Sequence, residues 1–557
     1  MKVVIVGGVA GGMSAATRLR RLEEDAEIVV LERGAHVSYA NCGLPYYLGG
    51  VIEERDALLL QTPEALRARF GLDVRVRSEA VAIDLAARTV RVRDLDGGGE
   101  YEEGYDHLVL SPGARPFVPD LPGIERARTL RDVADVDRVA ADLDAGAHTA
   151  VVVGAGFIGV EAAENLRERG LTVTLVELAD QVLPPLDAEM AAPLTTELRA
   201  HGVRVELGAQ PAALGPDQVT LADGRTLAAD LVVLAIGVRP ETALARAAGL
   251  AVGPRGGIAV DAYQRTSDPR VYAVGDAAEK RDALTGEPAL VPLANLANRH
   301  GRLVADVIAG RPVRAREAAG TAVVKVFGRT AAATGWNEKR LRAAGRPYQA
   351  VHLHPGSHAG YYPGASPIAL KVLYDPDDLR ILGAQAVGAE GVDKRVDVIA
   401  TAMAGGLTAP DLADLELAYA PPYGSAKDPV NMAGMIAENL ATGTGRAVQW
   451  HELDAALDDG AALIDVRTAA EHARGSIPGA LNIPVDQLRD RLDEIPAGQP
   501  LIVHCQVGLR GHTAARLLTQ LTGRPTANLD GGYATWAAAR TTCPDAADPA
   551  HSAPLAA

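Results

Sequence analysis

The sequence predicts a multidomain α/β protein in which one strand–turn–helix–strand design occurs twice. The apolar run at residues 3–6 leads into Gly7-Gly-Val-Ala-Gly-Gly12, a helical pattern continues to Arg21, and a second apolar run at 28–31 ends in Glu32. The design returns at residues 151–153, followed by Gly154-Ala-Gly156-Phe-Ile-Gly159, a helical stretch to Gly170 and a run at 173–176 ending in Glu177. A third observation is the change of pattern beyond residue 318. Strand-like runs at 321–327 and 368–374 precede a helix at 393–403, and a Gly/Thr-rich linker at 441–446 opens a separate C-terminal segment.

Composition narrows the functions such a chain can have. A length of 557 residues suits about four domains. A formal charge of −16 repels polyphosphate backbones and argues against nucleic-acid binding. No run is long and apolar enough to span a membrane, and residues 3–6 read as a first strand rather than an export signal, so a cytoplasmic enzyme is expected. The three cysteines, Cys42, Cys505 and Cys543, are too sparse for a disulfide framework or a cysteine-rich metal site, and no metal is expected.

Each glycine turn can bring backbone against a pyrophosphate seated on a helix N-terminus, with a carboxylate about 20 residues on for the ribose hydroxyls. The second turn has the full pattern in Gly154, Gly156, Gly159 and Glu177; the first has Gly7, Gly12 and Glu32, with Val9 at the middle position. The later segment ending Ala273-Val-Gly-Asp276, with the turns Ser111-Pro-Gly113-Ala and Ala235-Ile-Gly237, resembles the two-dinucleotide flavoprotein reductases. That resemblance assigns FAD to the first unit, beside Ser111, Gly113, Asp276 and Asn295, and a nicotinamide nucleotide to the second. Glu177 would repel a 2′-phosphate, so NADH is expected over NADPH.

Cys42 stands in Ser38-Tyr-Ala-Asn41-Cys-Gly-Leu-Pro-Tyr-Tyr47. With Asn41 as an N-cap, the thiol would start a short helix whose dipole lowers its pKa. Where a two-cysteine reductase would carry its second thiol stands Tyr47. The segment resembles the single-cysteine branch of that family: coenzyme A-disulfide reductases, NADH persulfide reductases, and NADH oxidases and peroxidases. Ala10 stands where the peroxidases carry histidine. The resemblance to coenzyme A-using members implies coenzyme A contacts at Ser14, Arg18, Arg21, Ser38, Asn41 and Lys427, with Arg18 and Arg21 sharing a helical face; Arg69 is a further candidate for the same phosphate charge, and Asn298, at a helix start after Pro292, is a candidate to border the flavin or ligand. The resemblance also implies that Tyr361 and Tyr419 reach the thiol from a partner subunit of a homodimer.

The C-terminal segment resembles a rhodanese throughout. Leu463-Ile-Asp-Val-Arg467, Glu471 and Gly475-Ser-Ile-Pro-Gly-Ala form its entry signature; Asp530-Gly-Gly-Tyr-Ala-Thr-Trp536 closes it. The six-residue loop 505–510 suits a transferred sulfur, with amides and Arg510 stabilising a Cys505 thiolate or persulfide and Gly508 and Gly511 allowing its curvature.

The expected architecture is therefore α/β, with two Rossmann-like dinucleotide-binding domains, an α+β dimerisation domain and a C-terminal α/β rhodanese domain. The boundaries are 1–112 with 240–317 for FAD, 113–239 for NAD(P)H, 318–443 for dimerisation, 448–543 for the rhodanese and 544–557 for a disordered tail. Cys543 is expected to be a free thiol without function. The expected activity is NAD(P)H-driven reduction of a persulfide, polysulfide or coenzyme A disulfide at Cys42, with Cys505 carrying sulfane sulfur. The rivals are an NADH oxidase working through a Cys42 sulfenate and a redox-sensing sulfur-binding module.

Overall fold

The computed structural model describes residues 1–311 and 313–542; Cys543 and the expected tail lie outside the described residues. The chain divides into two compact units, Met1–Leu178 with Gly202–Gly320, and Ala179–His201 with Thr321–Ala557.

The first unit is built on two parallel sheets. One has the strand order Val271–Ala273, His107–Leu110, Lys2–Val6, Glu27–Leu31, Asp73–Arg75. The other runs Arg204–Glu206, Thr172–Val176, Thr149–Val153, Leu231–Leu234. Parallel strands covered on both faces must be apolar at every position, not at alternate ones. Val3 to Ile5, Ile28 to Leu31 and Ala150 to Val152 are accordingly all buried. The strand Val271–Ala273 pairs with His107–Leu110 from far away in sequence, which carries the Asp276 turn to the first sheet.

Helices Ala10–Arg20 and Ala294–Ile308 meet at two glycines. A Cβ on Gly301 would lie 2.1 Å from the Gly11 carbonyl oxygen. A Cβ on Gly11 would in turn stand 2.9 Å from Ser111 Oγ and 2.9 Å from Val274 Cγ2. These close approaches gather the first glycine turn, the Ser111 turn, the Gly275–Ala277 turn and the start of the late helix at one place.

The second unit contains an antiparallel sheet ordered Ala322–Val326, Arg329–Gly335, Ile381–Gly388, Ile368–Tyr374, Gln349–Leu353. Its faces differ. Val351, Leu353, Leu370, Val372, Ala384 and Ala386 share an apolar core with helices Val392–Gly405 and Pro429–Ala441. The intervening His352, Lys371 and Gln385 are cross-strand neighbours and form a buried polar row on the opposite face, as the two-residue strand period requires. Helix Ala188–Ala200 belongs to this unit too. Ion pairs join its start to the sheet: Lys371 Nζ meets Asp187 at 2.9 Å, Glu189 at 2.5 Å and Glu338 at 3.0 Å.

The rest of the unit is a parallel sheet ordered Ala447–Val448, Thr526–Leu529, Leu501–His504, Ala462–Asp465, Leu481–Asn482. The segment 441–446 bridges helix Pro429–Ala441 to the first of these strands. No helix among the described residues is long and apolar enough to cross a membrane.

Candidate active site

Both glycine turns present unspent backbone donors. Gly7 and Gly154 take left-handed conformations with φ of +99° each, and a Cβ on Gly12 or Gly159 would strike the carbonyl of Gly7 or Gly154 at 1.9 and 1.8 Å. Only glycine fits either pair. Helices Ala10–Arg20 and Phe157–Glu168 begin without a side-chain cap, so their first amides remain available to an anion. Gly156 faces open space where a Cβ would stand. The donor set and the room beside it suit a pyrophosphate. Glu32 accepts from Gly8 N at 2.8 Å and Gly34 N at 2.7 Å, and Glu177 accepts from Ala155 N at 2.6 Å. Each carboxylate braces its turn and retains acceptor capacity for a ribose hydroxyl.

Cys42 is exposed, in the short 3-10 turn Asn41–Gly43 that precedes helix Leu44–Leu48. The expected cap is corrected here. Gly43 occupies the N-cap of that helix, while Asn41 Oδ1 accepts from Cys42 N at 3.1 Å and faces its sulfur at 3.7 Å. The expected pKa drop is reversed as well. Loss of water around the thiol pushes its pKa up, the Glu161 and Asp276 carboxylates push it further, and only Arg131 opposes them. Burial is the largest of these influences, and the helix the thiol was expected to start begins two residues later, at Leu44. Both the Asp276 and the Glu161 carboxylates thus act on Cys42, and Glu161 accepts from Tyr46 Oη at 3.1 Å.

In the second unit, Cys505 is fully buried and Gly508 N donates to its sulfur at 3.2 Å. Gly508 caps helix Leu509–Thr522 in a left-handed conformation, φ +99°. Arg510 forms a two-pronged pair with Glu471 at 2.9 and 2.7 Å, which holds that carboxyl well below the usual range. Beneath the loop, Asp465 binds Arg467 at 2.7 Å and His472 at 2.8 Å, and the Arg467 guanidinium lies over the Tyr533 ring.

Comparison with known proteins agrees with this geometry. Residues 1–299 match the pyridine nucleotide-disulphide oxidoreductase family model, residues 321–429 the dimerisation domain of that family, and residues 449–539 the rhodanese-like domain. The chain belongs to the pyridine nucleotide-disulphide oxidoreductases. Among its relatives is a coenzyme A disulfide reductase of Staphylococcus aureus (strain bovine RF122 / ET3-1), 37% identical over 443 residues, which are 78% of this chain and 100% of the relative. The crystal structure of reduced Bacillus anthracis CoADR-RHD superposes with a TM-score of 0.95 at 50% identity, covering 97% of this chain and 98% of that one. A NAD-dependent persulfide reductase from A. fulgidus superposes with a TM-score of 0.91 at 38% identity, covering 96% and 100%.

Within this oxidoreductase, the first unit brings together Cys42, Asn41, Asp276, Ser111, Ser14 and Asn298. Ser14 Oγ donates to Asn298 Oδ1 at 2.7 Å, and Asn295 is exposed one turn earlier on the same helix. Gly113 adopts φ +73° beside Arg131, and Ser38 holds the uncommon φ of +48°. Arg18 and Arg21, expected on one helical face, have different surroundings. Arg18 is bound to Asp306 at 2.7 Å, whereas Arg21 follows the helix end and is exposed, as is Arg69. Cys505, Arg510, Tyr361, Tyr419 and Lys427 all belong to the second unit. Tyr361 and Tyr419 are exposed and share a hydroxyl–hydroxyl hydrogen bond of 2.9 Å; Lys427 is exposed. Gly511 serves packing and not curvature, since a Cβ there would meet Asn528 Oδ1 at 2.1 Å.

The sequence reading missed Glu161 and the partners of His352. Glu161 carried a usable signal: it lies two residues after Gly159, in the first turns of the second nucleotide helix.

Proposed function

We propose that this chain uses NADH to reduce coenzyme A disulfide and coenzyme A persulfide at Cys42, and that Cys505 carries sulfane sulfur. The observation that carries the reading is Cys42, an exposed free thiol on which the Asp276 carboxylate acts, in the unit that also holds the two glycine turns suited to dinucleotides. Residues 1–112 with 240–317 would hold FAD and residues 113–239 the nicotinamide nucleotide. A flavin bound there would accept a hydride from NADH and supply the electron pair that reduces a disulfide.

The chain's own residues account for the rest. The Cys42 thiolate attacks one sulfur of coenzyme A disulfide, forms a mixed disulfide and expels coenzyme A thiolate. With coenzyme A persulfide, attack on the inner sulfur forms the same mixed disulfide and expels hydrosulfide. Two electrons and a proton then return Cys42 to the thiol and release coenzyme A as its thiolate. Loss of water around the thiol, with Glu161 and Asp276 after it, raises the Cys42 pKa and disfavours the thiolate in the ligand-free chain. Ser14, Asn298, Ser38, Asn41, Arg21 and Arg69 are the candidates for coenzyme A in the first unit. Lys427, with the exposed Tyr361–Tyr419 pair, is the candidate contribution of a partner subunit in a homodimer. Glu177 favours NADH because a 2′-phosphate would sit against its carboxylate. The cytoplasm is the proposed setting, since a reducing compartment keeps both thiols free.

A persulfide substrate fits better than oxygen. The fused loop at Cys505, with its inward Gly508 amide, is equipment for sulfur and has no use in an oxidase. The test is a pair of variants. Cys42→Ser should abolish NADH-driven hydrosulfide release from coenzyme A persulfide with FAD still bound. Cys505→Ser should remove sulfur transfer from thiosulfate and spare coenzyme A-disulfide reduction. Full reductase activity in the Cys42 variant would end the proposal.

A further inference from the structure

Tyr533 N donates to the Cys505 carbonyl at 2.9 Å and Ala534 N to the Gln506 carbonyl at 2.9 Å. The turn supplying these amides therefore holds the first two carbonyls of the sulfur loop. Gly532 lies against the loop so tightly that a Cβ would stand 2.6 Å from Cys505 O and 2.9 Å from Gly508 N. The position of that turn is set by Asp530. Its Oδ2 accepts from His352 N at 2.9 Å and from His352 Nδ1 at 2.8 Å, and a Cβ on Gly531 would come within 2.8 Å of His352 Cβ. His354 Nε2 adds a second tie to Thr535 Oγ1 at 2.7 Å.

His352 is itself fixed. It stands in the strand Gln349–Leu353 beside Lys371, and its Nε2 meets Glu189 Oε1 at 3.1 Å. Glu189 also receives Lys371, which holds Asp187 and Glu338 as well. We infer that His352 is a positioning residue for sulfur transfer: acting through Asp530, it places the Gly531–Gly532–Tyr533 turn that shapes the Cys505 loop. The inference rests on the proposed sulfur-carrying role of Cys505.

The residue type matters. An imidazolium can donate from both nitrogens, one to Glu189 and one to Asp530; a neutral ring can satisfy only one of them. The groups facing it are Glu189, Asp530, Lys371 and His354, with Asp187 and Glu338 behind Lys371. Burial and Lys371 push the imidazole pKa down, but hydrogen bonds to Asp530 and Glu189 outweigh them and bring it up to about 9. The two-sided grip is thus complete at neutral pH and is lost as pH rises through that value.

The experiment uses full-length, FAD-loaded protein and follows thiocyanate formation from thiosulfate and cyanide between about pH 7 and pH 10. Wild type, His352→Gln, Asp530→Asn and Cys505→Ser are compared, with NADH-driven coenzyme A-disulfide reduction as the internal reference. The Gln variant should lose sulfur transfer by on the order of tenfold near neutral pH, the scale of a displaced reacting group, and keep disulfide reduction. The ratio of wild-type to Gln-variant transfer should decline with a midpoint near pH 9. Should the Gln variant fail to fold, Asp530→Asn carries the same expectation of reduced transfer, because it weakens the grip from the other side. A flat ratio together with wild-type transfer in both variants overturns the inference while leaving the role of Cys505 intact. Wild-type transfer no greater than that of Cys505→Ser overturns both.

Discussion

Cys42 is an exposed residue whose thiol pKa is pushed up, first by loss of water and then by the Glu161 and Asp276 carboxylates. Glu161 is the larger of the two carboxylate influences and does not itself carry the thiol. Glu161→Gln should therefore lower the Cys42 pKa, and iodoacetamide should alkylate Cys42 faster at neutral pH in flavin-free protein than it does in wild type. Mass spectrometry of the Cys42 peptide across a pH series checks this; unchanged rates would remove Glu161 from the site. Cys42, both glycine turns and Cys505 were legible in the sequence because each signal is local, a reactive residue within a few neighbours of fixed type. Glu161 with Tyr46, and His352 with Asp530, were not. Their pairings join residues more than a hundred positions apart, and nothing near either member marks the other. The direction of the Cys42 pKa was not legible either, since the loss of water around the thiol and the carboxylates from distant segments both follow from the folded chain.

At the scale of elements, the sulfur loop depends on a turn that tolerates no side chain. Gly532 has φ +64° and its missing Cβ points at Cys505 O. Gly532→Ala should destabilise this part by about 1–3 kcal/mol through left-handed strain and overpacking. Thiosulfate sulfur transfer should fall more steeply than coenzyme A-disulfide reduction. Urea denaturation and the two assays check it; equal loss of both activities would contradict a local effect. The strands at 3–6, 28–31, 151–153 and 173–176 and the helices after each glycine turn were readable because period and punctuation coincide there. The placement of helix Ala188–Ala200 was not. Its apolar pattern reads like that of its sequence neighbours, and only the buried Lys371 cluster shows where it packs.

Across the whole molecule, the second unit is tied internally by charge as well as by apolar burial. Lys371 is fully buried among Asp187, Glu189 and Glu338. Lys371→Met leaves three carboxylates without their cation and should cost about 3–5 kcal/mol; a thermal melt near that of wild type would refute it. The pH dependence follows from two opposite shifts. Glu189 sits well below the usual carboxylate range because Lys371 and His352 overcome its burial, so its contribution is present above about pH 4.3 and is lost as pH falls through the folded value. His352 is raised to about 9, so its contribution is complete below about pH 6.5 and is lost as pH climbs through 9. The melting temperature should therefore decline on both sides of a plateau between about pH 4.3 and pH 6.5, and the alkaline decline should vanish in His352→Gln. The proposed role of Cys42, as the sulfur that takes the substrate, can be read from the protein directly. Its most direct measurement is intact-protein and peptide mass spectrometry after mixing FAD-loaded enzyme with coenzyme A disulfide, before and after NADH. One coenzyme A adduct on Cys42 that disappears with NADH is the predicted result. An adduct elsewhere, or one that NADH leaves in place, would contradict the account.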